Sequence, residues 1–241
     1  MTRVLGVIPA RYGATRFPGK PLATLWGKPI LQHVWERGQA IPRLDALAIA
    51  TDDERIALAA RGFGAEIEMT SSSHASGTDR VAEVARRRPE FGCVLNLQGD
   101  EPELDSAAVG RMVEAMRQDP SARMATLAHV EEDARALAAD DVVKVVVDAS
   151  GWALYFSRAD IAHGSQGGPA LRHVGVYGFR RDFLLEFASW PPSALERAER
   201  LEQLRALERG VKIKVVMGTR AFAGVDTPAQ LAALEKRGPS R

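Results

Sequence analysis

Three cations lie within a short N-terminal stretch, at Arg11, Arg16 and Lys20. Arginine presents a planar fork of N–H donors and lysine a point charge, so a fixed set of both suits a polyphosphate. The same stretch holds Gly13 and Gly19 and, at positions 9, 18 and 21, three prolines. Glycine lets the backbone approach a ligand, and proline reduces the order lost on binding. We interpret the stretch as a phosphate-binding loop; the alternative is a solvated basic turn.

Two carboxylates are placed to assist such a loop. Asp100 directly follows an apolar run, next to Gln98 and Glu101, and Asp226 stands in a tight turn before the last helical segment. Ligands of open α/β sheets bind at the carboxyl ends of strands, which favours a functional role for Asp100. Two carboxylates beside a polyphosphate suggest Mg²⁺, which takes few protein ligands. For Asp226, a role as a helix-capping turn residue is an equally good interpretation.

Other polar residues carry weaker signals. Residues 76–80, Ser-Gly-Thr-Asp-Arg, begin a helix whose free N–H groups can meet an anion or a base edge. From the residues alone, we favour a plain helix start capped by Thr78. Single polar residues within apolar segments are more often structural than functional. This applies to Arg158, His173, Tyr177 and Glu202.

Alternating strands and helices must position these side chains. Predominantly apolar runs predict strands over residues 4–8, 46–51, 93–97, 124–130, 142–147, 153–156, 173–180 and 211–217, and a further short strand is predicted over residues 66–69. Helical spacing and caps predict helices from Pro29 and over residues 54–61, 78–88, 106–118, 131–138, 182–190, 193–209 and 228–236, with Asp52 and Thr227 as N-caps of two of them. This alternation predicts an α/β fold with a parallel sheet. The strand-rich second half is either a mixed-sheet extension or a lobe over the site.

The composition argues against several classes of function, among them nucleic-acid binding and membrane insertion. A net charge of +1 provides no basic field for nucleic acid, and 46% hydrophobic residues are ordinary for a globular protein. No apolar stretch approaches membrane-spanning length, and no signal-peptide pattern is present. The single cysteine, Cys93, cannot form an internal disulfide, and its apolar surroundings favour a core position. We expect a cytoplasmic protein with no nucleic-acid partner and no membrane insertion.

The chain resembles the 3-deoxy-manno-octulosonate cytidylyltransferase (CMP-Kdo synthetase) family from its first strand to its last helix. The first matching block, residues 8–22, indicates only a nucleotidyltransferase. The blocks Tyr-Phe-Ser-Arg (155–158) and Leu-Glu-Gln-Leu-Arg (201–205) are far more specific. Further matches lie at residues 50–52, 74–80, 96–102, 143–146, 173–178, 190–193 and 224–228.

This resemblance implies a reaction. CTP and a 3-deoxy-2-keto sugar acid, Kdo, would give CMP-Kdo and pyrophosphate for the lipopolysaccharide inner core. It also implies Mg²⁺ as cofactor, a homodimer, and a nucleotide-diphospho-sugar-transferase-like fold. That fold has a mixed, mostly parallel sheet flanked by helices, with a smaller mixed-sheet lobe. In a single domain, residues of about 1–120 would bind the nucleotide, and those of about 121–241 would bind the sugar acid and dimerise.

The resemblance also assigns residues. It implies that Lys20, Asp100 and Asp226 are catalytic and that the two aspartates hold Mg²⁺. Nucleotide binding would fall to a larger set: Arg11, Gly13, Arg16, Lys20, His74, Ser76, Gly77 and Arg80. A second set would face the sugar acid: Gln98, Arg158, His173, Tyr177 and Glu202.

Two departures from the family pattern stand out. Phe17 replaces the usual leucine, a minor change. Residues 160–168 replace a common Pro-Trp/Tyr-Asp-Arg segment, so a difference in sugar choice would arise there. Three alternatives therefore stay open: a cytidylyltransferase for a related acid such as 8-amino-Kdo, an enzyme acting on a sugar 1-phosphate, and a non-catalytic nucleotide-binding paralogue. The blocks around Arg158 and His173 argue against the second, and the retained cations and aspartates against the third.

Overall fold

The computed structural model describes residues 2–13, 17–137, 139–161, 170–218 and 224–239. Its strands are β1 (Val4–Ala10), β2 (Thr24–Leu25), β3 (Lys28–Pro29), β4 (Ala46–Thr51), β5 (Glu66–Met69), β6 (Cys93–Asn96), β7 (Met124–His129), β8 (Lys144–Val147), β9 (Ala153–Ser157), β10 (Leu171–Arg180) and β11 (Ile213–Met217). Its α-helices are α1 (Ile30–Gln39), α2 (Glu54–Gly62), α3 (Gly77–Arg87), α4 (Ser106–Gln118), α5 (Ala134–Leu137), α6 (Arg181–Ser189), α7 (Ala194–Glu199), α8 (Leu204–Glu208) and α9 (Pro228–Arg237). A short 3₁₀ helix spans Lys20–Leu22.

The chain packs as two compact units, Met1–Gly110 with Phe222–Arg241, and Arg111–Ala221. The first unit thus includes the C-terminal segment. The sequence-based division at about residue 120 had placed that segment in the second half of the domain. The backbone N–H of Val225 donates to the carbonyl of Asp100 at 2.9 Å, and Leu234 of α9 packs against Leu25 and Ile30. The return of this segment is therefore held by both a hydrogen bond and apolar burial.

In the first unit, β1 lies between β4 and β6, and β5 borders β4; all of these pairs are parallel. The side chains of Val4, Leu5, Val7 and Ile8 are fully buried. Parallel strands covered on both faces read as continuous apolar runs, which explains why these strands were predictable. The carboxyl ends of β1, β4 and β6 lead into Arg11, Asp52 and Gln98 at one edge of the sheet.

In the second unit, β7 pairs with β11 in parallel and with β10 antiparallel. β8 pairs antiparallel with both β10 and β9. Aromatic rings of Phe179, Phe183, Phe187 and Trp190 form a contact cluster in this unit with centroids 5.7–6.3 Å apart, and the three phenylalanines are buried. The second unit therefore has a mixed sheet, in agreement with the predicted fold class.

Two predicted helix caps are wrong by one or two residues. Asp53, not Asp52, caps α2 by accepting from the N–H of Arg55 at 2.9 Å. Ser76, not Thr78, caps α3, and its backbone N–H donates to Asp79 in a capping box. Adjacent residues offered equally good caps. Tertiary contacts account for which residue becomes the cap. Asp52 instead pairs with the buried Arg80, and the hydroxyl of Thr78 accepts a hydrogen bond from Asn96 at 3.2 Å.

The single helix predicted over residues 193–209 is divided into α7 and α8. The break comes at Arg200, which has the left-handed φ of 56°. No residue of α7 is buried, and its apolar Leu195 is 38% exposed. After the break, Leu201 and Leu204 are buried. The turn therefore redirects the apolar side chains into the core, which a straight helix would not do.

Candidate active site

Lys20 bridges two aspartates from distant parts of the first unit. Its Nζ donates to Oδ2 of Asp100 at 2.6 Å and to Oδ1 of Asp226 at 3.2 Å. The 3₁₀ helix that begins with Lys20 follows Gly19, whose φ of 72° suits glycine. The structure thus brings together all three residues that the resemblance names as catalytic.

Close packing fixes the loops that carry these residues. A Cβ on Gly99 would lie only 2.9 Å from the carbonyl oxygen of Pro9, so the loop after β6 can approach β1 only with glycine there. An apolar cluster of Leu25, Ile30, Val225 and Leu234 packs with the partly buried Phe17. Phe17 and Val225 are near neighbours in sequence of Lys20 and Asp226. This cluster therefore anchors the basic loop and the Asp226 turn to the same support.

Glu101 adds a third carboxyl group. Its Oε2 is buried and has no hydrogen-bond partner among the described residues. Burial, followed by the charges of Asp100 and Asp226, raises the pKa of Glu101 to about 8. The neutral form is then favoured at pH 7. With Glu101 neutral, two aspartates and one ammonium leave a local charge of about −1, an environment that favours another cation.

A cleft of about 230 Å³ opens beside Lys20 and Asp100. Its lining includes Arg11, Gln98 and Gly77, the first residue of α3. The N-terminus of an α-helix carries a partial positive charge and free N–H groups, which favour anions. The cleft therefore combines two cationic side chains with a helix N-terminus, an arrangement suited to phosphate groups.

The predicted nucleotide-binding residues form a connected loop structure. Nη2 of Arg11 donates to the carbonyl oxygens of His74 at 2.5 Å and of Ser76 at 3.0 Å. Nε2 of His74 pairs with the carboxylate of Glu83, which also accepts from the N–H of Ser71 at 3.0 Å. These contacts hold residues 71–76 close to the end of β1.

Three members of the predicted set differ from the rest. Arg80 is fully buried, with Nη2 2.9 Å from Asp52 and Nη1 donating to Thr70, so its contacts here support the loop from within. A Cβ on Gly13 would meet nothing within 4 Å, and close ligand approach at Gly13 stays a prediction. Arg16 lies outside the described residues.

The predicted sugar-acid residues belong to different units. Gln98 lines the cleft of the first unit. In the second unit, Nε of Arg158 donates to the carbonyl of Glu199 at 3.2 Å, and Nη1 donates to that of Asp141 at 3.4 Å. Oε1 of Glu202 lies 3.6 Å from Nη2 of Arg205. The guanidinium group of Arg158 thus donates to backbone oxygens, whereas its backbone N–H donates to the carboxylate of Glu199 at 3.0 Å.

His173 and Tyr177 lie in an aromatic group on β10, with ring centroids 5.6 Å apart. Nε2 of His173 is 2.9 Å from the hydroxyl of Thr126, and its ring meets that of Phe156 edge-on at 5.0 Å. Desolvation in this apolar setting lowers the pKa of His173 to about 3. His173 is therefore a neutral hydrogen-bonding group at physiological pH.

Sequence reasoning missed two charged residues of the second unit. Lys144 is fully buried within a predicted strand, and Glu199 ends α7 beside Arg158. A charged residue inside the apolar run of residues 142–147 was the available signal for Lys144. The loop of residues 160–168, where the family pattern is broken, lies outside the described residues from position 162 onward.

Two searches over the described part of the chain gave negative results. No helix there is both long and apolar enough to cross a membrane. No cluster of three or more His, Cys, Asp or Glu side chains is arranged there to hold a metal ion. Within the described residues, Asp100 lines the cleft, and Asp226 joins it through their shared partner Lys20.

Comparison with known proteins gives consistent results. Residues 5–213 match a family model described as cytidylyltransferase. The chain is 49% identical to the 3-deoxy-manno-octulosonate cytidylyltransferase of Solibacter usitatus, covering 95% of this chain and 92% of that one. It is 46% identical to the enzyme of the same name from Geobacter sulfurreducens, covering 95% and 96%.

Solved structures agree with these matches. A CMP:2-keto-3-deoxy-manno-octonic acid synthetase complexed with CTP has a TM-score of 0.93 and 41% identity, covering 98% of each chain. The 4-diphosphocytidyl-2C-methyl-D-erythritol synthase of Anaerococcus prevotii has a TM-score of 0.66 at 14% identity, covering 98% of this chain and 96% of that one. The second match shows a shared fold alone.

Proposed function

The chain belongs to the family of 3-deoxy-manno-octulosonate cytidylyltransferases, and we propose that the cleft beside Lys20 is where it binds the triphosphate of CTP. The enzyme transfers CMP from CTP to the anomeric hydroxyl of Kdo and releases pyrophosphate. The observation that carries the assignment of the site is the bridge from Lys20, which lines the cleft, to Asp100 and Asp226. The predicted family and fold class are confirmed.

The residues of the cleft suit this reaction. The sugar hydroxyl attacks the α-phosphorus, a new P–O bond forms, and the bond to the bridging oxygen of the leaving pyrophosphate breaks. Positioning and charge neutralisation supply most of the catalysis in such transfers. Arg11, Lys20 and the N-terminus of α3 line the cleft and would face the phosphate oxygens. Arg16, Gly13, His74, Ser76 and Arg80 complete the proposed nucleotide site, the last three by shaping the loop near the cytidine.

Mg²⁺ is the cofactor that we assign to this site. Asp100, Asp226 and Lys20 together carry a charge of about −1. This charge and the two carboxylates fit a hard cation that keeps waters and phosphate oxygens among its ligands. Asp100 and Asp226 would hold it. When bound, Mg²⁺ neutralises phosphate charge and lowers the pKa of a coordinated hydroxyl. Lys20, which now contacts both aspartates, is free to turn to the phosphate oxygens once those carboxylates have another partner.

The sugar acid would contact Gln98, Arg158, His173, Tyr177 and Glu202. Because Kdo is itself an anion and the first cations serve the triphosphate, a separate arginine is needed for its carboxylate, and Arg158 is our assignment. The product, CMP-Kdo, serves lipopolysaccharide inner-core synthesis. We assign the enzyme to the cytoplasm, where CTP is available, and we expect it to act as a homodimer.

A pyrophosphate-release assay tests the function and its substrate choice. We expect turnover with CTP and Kdo, slower turnover with UTP, and poor turnover with ATP, since backbone groups near residues 74–80 would read the pyrimidine edge. Equal rates with CTP and ATP would contradict the nucleotide assignment. Competition between Kdo and 8-amino-Kdo decides between the two sugar acids, and no turnover with either would indicate a non-catalytic paralogue.

Arg158→Lys should raise the KM for Kdo by about tenfold while leaving the KM for CTP nearly unchanged. A lysine cannot reproduce the planar two-point contact of arginine with a carboxylate, and hydrogen bonds to charged groups contribute about 1.5–3 kcal/mol. Steady-state kinetics with each substrate varied in turn measures both constants. The matched control is Arg209→Lys, which changes an exposed arginine of the same unit. Equal losses for both substrates would contradict the role of Arg158.

A further inference from the structure

Lys144 is a buried lysine whose ammonium group donates to backbone oxygens of the described residues. Its Nζ donates to the carbonyls of Ala139 at 3.3 Å, Val142 at 3.0 Å and Arg158. An ammonium group has three N–H donors, so these carbonyls can satisfy all of them. Burial lowers the pKa of Lys144, which shows that its charge is held at an energetic cost. A lysine so placed fixes three points of the backbone, and Arg158 is one of them.

The position of Lys144 in the sheet links it to a second proposed sugar-acid residue. On β8 it pairs with Ser157 of β9 on one side and with Arg172 of β10 on the other. The residue before it, Val143, accepts the backbone N–H of His173 at 2.8 Å. Lys144 therefore stands between the strand end that leads to Arg158 and the strand that carries His173.

Glu199 also binds the end of β9, through groups of Ser157 and Arg158 that Lys144 does not contact. Its carboxylate accepts from the hydroxyl of Ser157 at 2.7 Å and from the backbone N–H of Arg158 at 3.0 Å. The Ser157 hydroxyl also accepts from the N–H of Ala159 at 3.0 Å. Because Lys144 binds the carbonyl of Arg158 and Glu199 binds its N–H, both peptide groups that flank the Cα of Arg158 are fixed.

Stability alone explains this arrangement poorly. Burying a charged side chain is expensive, and well-packed apolar residues often stabilise a fold better. What the contacts do achieve is a fixed direction for the Arg158 side chain, whose Nε also binds the carbonyl of Glu199. We propose that Lys144 and Glu199 are positioning residues, which hold Arg158 in the orientation that binds the carboxylate of the sugar acid. The proposal rests on the function of Arg158 given above.

The test compares Lys144→Met with two controls. Methionine keeps the length and apolar stem of lysine but removes the three donors. Val145→Ala, the neighbouring buried position on β8, reports the effect of general core destabilisation, and Lys212→Met reports the loss of an exposed lysine. We expect Lys144→Met to raise the KM for Kdo by on the order of tenfold or more and to change that for CTP by less than about twofold. Both controls should keep the KM for Kdo within about twofold.

A second variant covers the case in which Lys144→Met does not fold. Ser157→Ala removes one hydroxyl that bonds to Glu199 and to Ala159, and it should raise the KM for Kdo by about threefold or more, with that for CTP unchanged. Loss of folded enzyme alone lowers the apparent kcat but leaves both KM values in place.

Arg158→Lys, measured beside these variants, separates the two proposals. If it raises the KM for Kdo and neither Lys144→Met nor Ser157→Ala does, the positioning role is wrong. If Arg158→Lys has no effect either, the carboxylate site is wrong and the positioning role fails with it.

Discussion

Asp100→Asn is expected to lower kcat by on the order of a hundredfold to a thousandfold, while the Kd for CTP changes by less than about threefold. Asparagine keeps the size of aspartate but loses the charge that would hold a metal ion and that now binds Lys20 at 2.6 Å. The charge matters most when negative charge shifts onto the leaving pyrophosphate. An interaction that is stronger in the transition state than in the ground state affects kcat more than binding.

Pyrophosphate release at saturating Mg²⁺ gives kcat, and calorimetry gives the Kd for CTP. Asp182→Asn is the control, since its side chain is 96% exposed and pairs with the neighbouring Arg181 at the surface. That variant should retain nearly full activity. A kcat for Asp100→Asn within about fivefold of the wild-type value would remove Asp100 from the proposed metal site.

Lys20→Met is expected to have two opposite effects. Turnover should fall by on the order of a thousandfold, because a phosphate contact in the transition state is lost. In the protein without nucleotide, however, divalent cations should bind more tightly. The substitution removes a positive charge 2.6 Å from Asp100 and 3.2 Å from Asp226, and a nearby unit charge contributes about 1 kcal/mol or more even in water. The Kd for Mn²⁺, used as a spectroscopic probe, should fall by about tenfold, which corresponds to about 1.4 kcal/mol.

The measurement combines steady-state kinetics with Mn²⁺ titration followed by electron paramagnetic resonance. Lys28→Met is the control, because Lys28 is an exposed lysine of the same unit whose ammonium lies 2.8 Å from Glu36. It should change neither quantity by more than about twofold. If Lys20→Met bound Mn²⁺ no better than the wild type, Lys20 would not compete with a cation for the two aspartates.

Strands β1, β4 and β6 of the first unit were predictable because they are short, buried apolar runs, whereas β5 alternates polar and apolar residues. Residues 46–51 and 66–69 were predicted with the bounds that β4 and β5 have in the structure. Caps were less predictable, since Asp52 and Asp53 are equivalent in type and only the partner of Asp52 decides between them. The break at Arg200 depends on which leucines find space in the core, a property of the assembled unit and not of the local sequence.

The candidate site likewise contains residues that could be predicted from the sequence and residues that could not. The rule that ligands bind at the carboxyl ends of strands placed Asp100 at this edge of the sheet, after β6. The proximity of Lys20 to Asp226 was expected from the family resemblance. The full burial of Arg80 was not predictable, because arginine is seldom fully buried and nothing local marks the exception. Lys144 was missed because it binds backbone carbonyls, which leave no pattern of residue types. Glu199 was missed because its partners, the Ser157 hydroxyl and the N–H of Arg158, lie 42 and 41 residues away in sequence.

The return of the C-terminal segment to the first unit has a consequence for synthesis on the ribosome. Lys20 and Asp100 emerge early, but Asp226 and the α9 residue Leu234 follow only after the whole second unit has been made. Until then Leu25 and Ile30 lack two of the apolar partners that bury them, and Lys20 has one carboxylate instead of two. The growing chain therefore has an incomplete candidate site, and part of this apolar cluster lacks its cover, until the segment that follows the second unit has been made.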